Sequence, residues 1–137
     1  MTRKASAVWK GGLKDGHGTI STDSGVLHDS QYSFKTRFED GIGTNPEELL
    51  AAAHAACFSM ALSNQLAQQG MTAESIETTS SCTMENLTIT KFHLDLTATI
   101  PGADPAEFEK AANAAKEGCP VSRLFKADIT LDAKLAS

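Results

Sequence analysis

The chain has 137 residues, of which 41% are hydrophobic and 21% charged, and its formal net charge is −5. This length predicts one globular domain over residues 1–137, with enough apolar residues for a single modest core. The acidic balance and the lack of a basic cluster beyond the opening Arg-Lys pair argue against nucleic acid or an anionic membrane as a partner. No apolar run reaches the roughly 18 to 20 residues that span a bilayer, so we expect a cytoplasmic protein.

Four short β-type runs occupy residues 6–37, separated by Gly, Asp and Ser turn signals. They read SAVWKG, GTISTD, GVLHDS and QYSFKTRF. We expect a meander of antiparallel strands whose last member ends at Arg37. Strand alternation puts Phe34, Thr36 and Phe38 on one side of that strand and Arg37 on the other.

A long helix is predicted after this meander. Asn45 is a plausible N-cap, Pro46 suits the first helical position, and Glu48 stands where a capping box has a carboxylate. Gly70 is a natural C-terminal stop, which gives a helix of about 24 residues. Its middle, LLAAAHAACFSMAL, is apolar nearly all round, so the helix must be buried on most sides.

Two further strands, a helix and a last strand follow. SIETTSSCTM and TKFHLDLTATI alternate as a hairpin around Glu85 and Asn86. Asp104 caps a second helix that ends at Gly118, and ADITLDAKLA alternates as a final half-buried strand. Helices segregated from runs of strands predict an α+β domain, with an antiparallel sheet wrapped against a central helix.

The three cysteines include no CxxC pair, which fits neither a disulfide-stapled secreted scaffold nor a zinc finger. Cys82 shares the core-facing alternation of its strand and is interpreted as a core residue. Cys57 lies in mid-helix among apolar neighbours, which raise a thiol pKa, so the local pattern alone favours core packing there too. Cys119 stands just past a helix end and before Pro120, where a side chain can be presented.

Two arrangements would make Cys57 reactive. His54 lies three residues away on the same helix face, so a zinc site with Cys119 and water is arithmetically possible, but no carboxylate adjoins either residue. His54 is more readily explained as a core histidine that hydrogen bonds satisfy, or one that shapes a pocket. Alternatively, Arg37 supplies a fixed cation, held by Glu47 or another early helix carboxylate. A solvated strand-edge arginine remains the plain alternative.

Three motifs resemble, in order and spacing, those of the OsmC branch of the OsmC/Ohr organic hydroperoxide reductase family. They are YSFKTRFE, GTNPEELLAAAHAACFSMAL and GCPVS, and the similarity extends over essentially the whole chain. The TRF placement of the arginine favours the OsmC branch over Ohr. The resemblance implies the OsmC-like fold, an intertwined homodimer, and a thiol-dependent peroxidase active in oxidative or osmotic stress defence.

The resemblance also implies residue roles. Cys57 would be the peroxidatic cysteine, Cys119 the resolving one, Arg37 the arginine that stabilises the thiolate, and Glu47 the glutamate that orients this arginine. No cofactor or metal is implied, and the reductant would be an external dithiol, with a lipoyl-bearing protein as one candidate. The apolar surroundings suggest a pocket for alkyl or lipid hydroperoxides, to which we assign Leu50, His54, Phe58, Met60 and Phe125.

Helix geometry adds a constraint to this interpretation. Glu47 and Cys57 are about 15 Å apart along one straight helix, roughly twice the reach of an arginine side chain. One Arg37 can hardly join both within a subunit, so we expect Glu47 of one chain near Cys57 of the other across a two-fold axis. Two rival functions stay open, a binding module for a lipid-like ligand and a zinc hydrolase, whereas a general disulfide oxidoreductase is disfavoured by the missing CxxC.

Overall fold

The computed structural model describes residues 1–136, and the chain divides into two compact units, Met1–Leu49 and Leu50–Ser137. The first unit holds one small sheet and a short helix, and the second holds another sheet and further helices. The α+β class predicted from the sequence is confirmed, while the single-domain boundary stays a prediction. No helix within residues 1–136 is long and apolar enough to cross a membrane.

The first unit contains an antiparallel sheet of β1 (Ala5–Lys10), β2 (His17–Thr22) and β3 (Ser30–Tyr32), in that order. The predicted strand GVLHDS is wrong, because residues 23–29 form turns and bends. The backbone N–H of Thr22 donates to the carbonyl of Leu27 at 2.9 Å, and Gly25 and Asp29 have positive φ. These local bonds fold the segment back on itself, so it forms a loop between β2 and β3.

Arg37 lies on a helix, which corrects the strand predicted to end at this residue. Helix α1 (Phe34–Phe38) starts at Ser33, whose hydroxyl accepts from the N–H of Thr36, while the Thr36 hydroxyl accepts from the N–H of Ser33. This reciprocal capping box satisfies amide donors that a strand would have left to a ladder. The alternation of aromatic and polar residues from 34 to 38 is therefore a helical turn.

Helix α2 (Pro46–Gln68) has the predicted start and stop. The Asn45 side chain accepts from the N–H of Glu48 at 2.7 Å, but the Glu48 carboxylate accepts from the Thr44 hydroxyl instead of closing a capping box. At the other end Gly70 has φ +76°, and the N–H of Met71 donates to the carbonyl of Leu66 at 2.9 Å. This is a Schellman ending, which needs a left-handed residue that glycine supplies without strain.

The sheet of the second unit is mixed, which corrects the antiparallel sheet expected there. Strands β4 (Ser75–Glu85) and β5 (Thr88–Thr99) form the predicted antiparallel hairpin, and β6 (Asp128–Leu135) pairs with β5 in parallel. A parallel partner requires a crossover connection. Helices α3 (Pro105–Gly118) and α4 (Pro120–Leu124) supply it.

The core of the second unit is built from α2, β5 and α3. Helix α3 buries the apolar face expected from the sequence, and β5 buries every second residue. Its largest fully buried apolar side chains are Phe58, Phe92, Leu62, Leu66, Leu94, Leu96 and Ile100. Cys57 is partly buried and packs against this core, whereas Cys119 is fully buried in it. The second unit therefore positions both thiols on rigid elements.

Candidate active site

Cys119 occupies the junction between α3 and α4. Its backbone N–H closes α3 on the carbonyl of Ala115, and its sulfur accepts from the backbone N–H of Ser122 at 3.3 Å, which caps α4. Pro120 at the first position of α4 breaks the path between the two helices. The sequence therefore turns the chain sharply at the cysteine and fixes the direction of its side chain.

Helix α2 packs against this junction, and its Cys57 lies beside Cys119. The Cys57 thiol interacts with the Cys119 side chain and with the backbone N–H of Val121. Burial raises the pKa of the Cys57 thiol, the Val121 N–H lowers it, and the neighbouring Cys119 raises it again. Both side chains are reduced thiols. The arrangement juxtaposes two sulfurs, one partly exposed and one fully buried.

A cavity of about 390 Å³ opens on Cys57. Its lining includes Met60 and Ala61 of α2, Ala115 of α3 and Pro120 at the start of α4. A small reactant can therefore reach the sulfur of Cys57 from solvent. Cys119 is not part of the lining and has 0% exposure, so Cys57 is the accessible thiol of the pair.

His54 is a buried member of an aromatic cluster. Its ring stands edge to face with Phe92 and Phe125, which stack on each other with centroids 4.0 Å apart. Its Nε2 and the hydroxyl of Ser122 are hydrogen-bonded at 2.8 Å. Burial lowers the pKa of His54 below its ordinary value of 6.5. The expected core histidine is therefore present, with one of its ring nitrogens in a hydrogen bond.

Arg37 and Glu47 meet within the first unit. Both Nε and Nη2 of Arg37 lie 2.9 Å from Oε1 of Glu47, and the two side chains are 39% and 12% exposed. The other carboxylate oxygen, Oε2, is buried and has no hydrogen-bond partner within residues 1–136. The sequence-predicted pair is thus in contact in one chain, with a spare acceptor on the glutamate.

An apolar cavity of about 260 Å³ adjoins Arg37 in the same unit. Aromatic and aliphatic side chains form most of its wall: Trp9, Leu13, Tyr32, Phe34, Phe38 and Pro46. Sequence reasoning did not assign these residues to a pocket. The signal available was the pair of phenylalanines that flank Arg37 at one helical turn, whose rings are 4.8 Å apart.

The residues predicted to form a substrate pocket are dispersed in the second unit. Met60 lines the cavity of Cys57 and is 76% exposed, but Phe58 and His54 have 0% exposure and belong to the core. Leu50 and Phe125 are partly buried and do not line that cavity. Of these five residues only Met60 lines the cavity of Cys57, because α2, which carries four of them, turns their side chains to different sides.

The metal-ligand set considered from the sequence is not assembled. Among residues 1–136, the metal-binding side chains whose ligand atoms lie within 4.8 Å of one another are His93, Asp95 and Asp132. His54 instead engages Ser122. Ser122 is itself a residue that the sequence reasoning missed, although it lies three positions after Cys119 in the GCPVS motif.

An α+β fold with one accessible and one buried thiol side by side is typical of a cysteine-based redox protein. The chain is a member of the OsmC family, since the model of the OsmC-like proteins matches residues 39–134. It is 50% identical to the peroxiredoxin OsmC of Escherichia coli K12, over 98% of this chain and 97% of that one. It is 30% identical to the organic hydroperoxide resistance protein OhrB of Bacillus subtilis, over 86% and 88%.

Solved structures agree with this assignment. The crystal structure of an organic hydroperoxide resistance protein OsmC from Legionella pneumophila aligns with a TM-score of 0.68 at 26% identity, over 100% of this chain and 98% of that one. The crystal structure of B. subtilis OhrB aligns with a TM-score of 0.64 at 28% identity, over 96% and 97%. The expected OsmC-like fold is therefore confirmed.

Proposed function

We propose that this protein is a thiol-dependent peroxidase that reduces organic hydroperoxides to alcohols. The observation that carries the proposal is that the accessible Cys57 is a neighbour of the buried Cys119, against the core cluster to which Cys119 belongs. The names of two relatives, a peroxiredoxin and an organic hydroperoxide resistance protein, point to the same chemistry. Defence against oxidative or osmotic stress is the corresponding physiological role.

Catalysis begins at Cys57. Its thiolate attacks the distal oxygen of ROOH, the O–O bond breaks, and the alkoxide leaves with a proton as ROH, so that sulfur is oxidised to a sulfenic acid. Cys119 then attacks the Cys57 sulfur, forms a disulfide and releases the oxygen as water. An external dithiol, for which we propose a lipoyl-bearing protein, restores both thiols by exchange.

Activation of Cys57 requires a cation, because its burial disfavours the thiolate by raising its pKa. We assign this task to Arg37, which Glu47 holds through both Nε and Nη2. Arginine keeps its charge when partly buried and presents several donors in a fixed plane. The apolar cavity beside Arg37 then accommodates the alkyl group of the peroxide, which favours organic hydroperoxides over hydrogen peroxide.

In a homodimer, the Arg37–Glu47 pair of one chain can lie beside Cys57 of the other chain. Glu47 lies ten residues before Cys57 on α2, about 15 Å along the axis, so the Arg37–Glu47 pair is better placed for the Cys57 of a partner chain. Two observations support a partner surface. All six residues of β1 are exposed, including Val8 at 53% and Trp9 at 37%, and the buried Oε2 of Glu47 has no partner within the described residues.

The chemistry is tested by peptide mapping. After one equivalent of an organic hydroperoxide under non-reducing conditions, the proposal expects a Cys57–Cys119 crosslinked peptide. A crosslink that involves Cys82, or no oxidation of Cys57, contradicts it. Comparable turnover of hydrogen peroxide and an alkyl hydroperoxide with a dithiol reductant would remove the substrate preference alone.

The dimeric site is tested by complementation. Chains with Cys57→Ser and Arg37→Met are co-expressed with different tags, and the mixed dimer is purified. If each site combines Cys57 of one chain with Arg37 of the other, one of the two sites is intact and about half of the wild-type activity is recovered. An inactive mixed dimer, or a fully active monomer in sedimentation, excludes the shared site.

A further inference from the structure

A buried line of hydrogen bonds joins Cys119 to His54 through Ser122. The thiol of Cys119 donates to the Ser122 hydroxyl at 3.4 Å, and this hydroxyl lies 2.8 Å from Nε2 of His54. The three residues are 0%, 5% and 0% exposed, and all belong to the second unit. The line leads from a reacting sulfur to the side chain that most readily takes up a proton near neutral pH.

Packing alone does not account for this line. His54 sits against Phe92 and Phe125, and its Nδ1 is buried without a hydrogen-bond partner in residues 1–136. A buried polar atom of this kind costs free energy that an apolar residue of similar size would not. The histidine is also uncharged around neutral pH, because burial lowers its pKa, so one ring nitrogen offers a lone pair.

We propose that Ser122 and His54 form a proton relay that deprotonates Cys119 when it resolves the oxidised Cys57. This inference rests on the peroxidase function proposed above. The hydroxyl of Ser122 receives the thiol hydrogen of Cys119 and passes its own hydrogen to Nε2 of His54, whose neutral form carries its hydrogen on Nδ1. Ser122 touches the reacting sulfur, and His54 acts through it.

Cys119 loses its proton to the relay, and the resulting sulfur electron pair forms the S–S bond with Cys57 while the S–O bond of the sulfenic acid breaks. The oxygen leaves as hydroxide, which takes up the proton held on His54 and departs as water. Cys57 sulfenic acid and the Cys119 thiol thus give a disulfide and one water, and the relay returns to its starting state.

Burial is the reason that a relay is needed. Attack on the sulfenic acid requires the thiolate, so the Cys119 thiol must lose its proton first. Cys57 borders an open cavity, but Cys119 has 0% exposure. The proton of Cys119 therefore has a defined path through side chains and no direct contact with bulk water.

Rapid-quench mass spectrometry tests the relay in the full chain. The reduced protein is mixed with one equivalent of tert-butyl hydroperoxide, quenched in acid at set times, and the sulfenic acid and disulfide forms are counted by intact mass. With Ser122→Ala we expect disulfide formation to slow by about 10²-fold, the lower end of what a positioned acid–base group contributes, with an unchanged rate of sulfenic acid formation. The capping bond to Cys119 comes from the backbone of residue 122 and is retained.

Three companion variants separate the relay from structural damage. Ser122→Thr keeps the hydroxyl and should restore most of the rate. His54→Gln can still accept the Ser122 hydrogen but is not a base at neutral pH, so it should slow disulfide formation like Ser122→Ala. Ser59→Ala, which removes a partly buried hydroxyl of α2 outside the relay, is the control and should behave as wild type.

The pH dependence of disulfide formation separates a proton relay from a merely structural role of Ser122. Among residues 1–136, Cys119 interacts with the thiol of Cys57 and, through Ser122, with His54, and the rings of Phe92 and Phe125 pack against His54. At high pH, hydroxide that reaches Cys119 during local opening can replace an internal acid–base group, so Ser122→Ala should approach the wild-type rate as the pH rises. A defect that persists at high pH would indicate displaced sulfurs and overturn the proposal.

The outcomes also distinguish the relay from the function on which it rests. If the wild-type protein forms the disulfide and Ser122→Ala forms it equally fast at neutral pH, the relay is wrong and the peroxidase function stands. If the wild-type protein forms neither sulfenic acid nor disulfide with tert-butyl hydroperoxide, the peroxidase function itself fails.

Discussion

The two units of this chain differ in what holds the side chains that we propose for catalysis. In the second unit Cys57 and Cys119 rest on a continuous core, to which α2, β5 and α3 contribute buried side chains. In the first unit Arg37 and Glu47 are fixed mainly by each other, beside a sheet whose first strand is exposed throughout. The positions of the two thiols thus depend on core packing, whereas the position of the Arg37 guanidinium depends on its ion pair with Glu47 and on the proposed partner that covers the exposed strand.

The largest expected effect concerns the thiol that the second unit exposes. Cys57→Ser removes the proposed nucleophile, and peroxide turnover with a dithiol reductant should fall by at least about 10³-fold. Cys82→Ser, on strand β4, is the matched control and should turn over as wild type. Equal losses in both variants would indicate that oxidation is not confined to the Cys57 region.

Truncation of one side chain in each unit should change the free energy of unfolding by very different amounts. Phe58→Ala removes a fully buried ring from the core of the second unit and should lower the free energy of unfolding by about 3 to 5 kcal/mol. Leu13→Ala, at a residue 67% exposed in the first unit, should change it by less than about 0.5 kcal/mol. Urea titrations of both variants measure the contrast, and similar losses would contradict it.

Loss of the positive charge of Arg37 in the first unit should lower the reactivity of the Cys57 thiol. Arg37→Met is expected to lower kcat/KM for an organic hydroperoxide by about 10²-fold, as removal of one well-placed donor does elsewhere. Lys35→Met, an exposed cation on the same short helix, serves as control and should have little effect. An unaffected Arg37→Met enzyme would show that the second unit activates Cys57 by itself.

Stability should depend on pH through the buried histidine of the second unit. Burial lowers the pKa of His54 below 6.5, so between that lowered value and 6.5 the unfolded chain binds a proton that the folded chain does not. The free energy of unfolding is then unaffected by this group above about pH 6.5 and falls as the pH drops, by at most about 1.4 kcal/mol per unit. His54→Gln should reduce this slope in urea titrations from pH 7 to 5, and an unchanged slope would contradict the assignment.

The smallest effect is expected at the tip of the β4–β5 hairpin. Leu87 has φ +60° and is 76% exposed, so Leu87→Gly relieves left-handed strain without removing a core contact. We expect a gain of about 1 kcal/mol in the free energy of unfolding. Asn86→Gly, at the preceding position with φ +49°, should gain less because asparagine tolerates this conformation. Thermal unfolding of the two variants measures and compares these two gains.

Local signals in the sequence were sufficient for several elements. The start of α2 at Pro46, its stop at Gly70 and the buried stripe of α3 all follow from residues within one or two helical turns of each other. The same kind of signal misled at Arg37. Alternating aromatic residues there indicate a strand, but Ser33 and Thr36 cap each other and form a helix.

By itself the sequence determined the α+β class, the family and the identity of the candidate thiols, because motif spacing and helix caps are local properties of the chain. Only the tertiary structure decided the parallel pairing of β6, the burial of Cys119 beside a more accessible Cys57, and the line from Cys119 through Ser122 to His54. The last of these joins residues 68 positions apart in the sequence. Such contacts depend on how α2 packs against the α3–α4 junction, which the pattern of either segment alone does not specify.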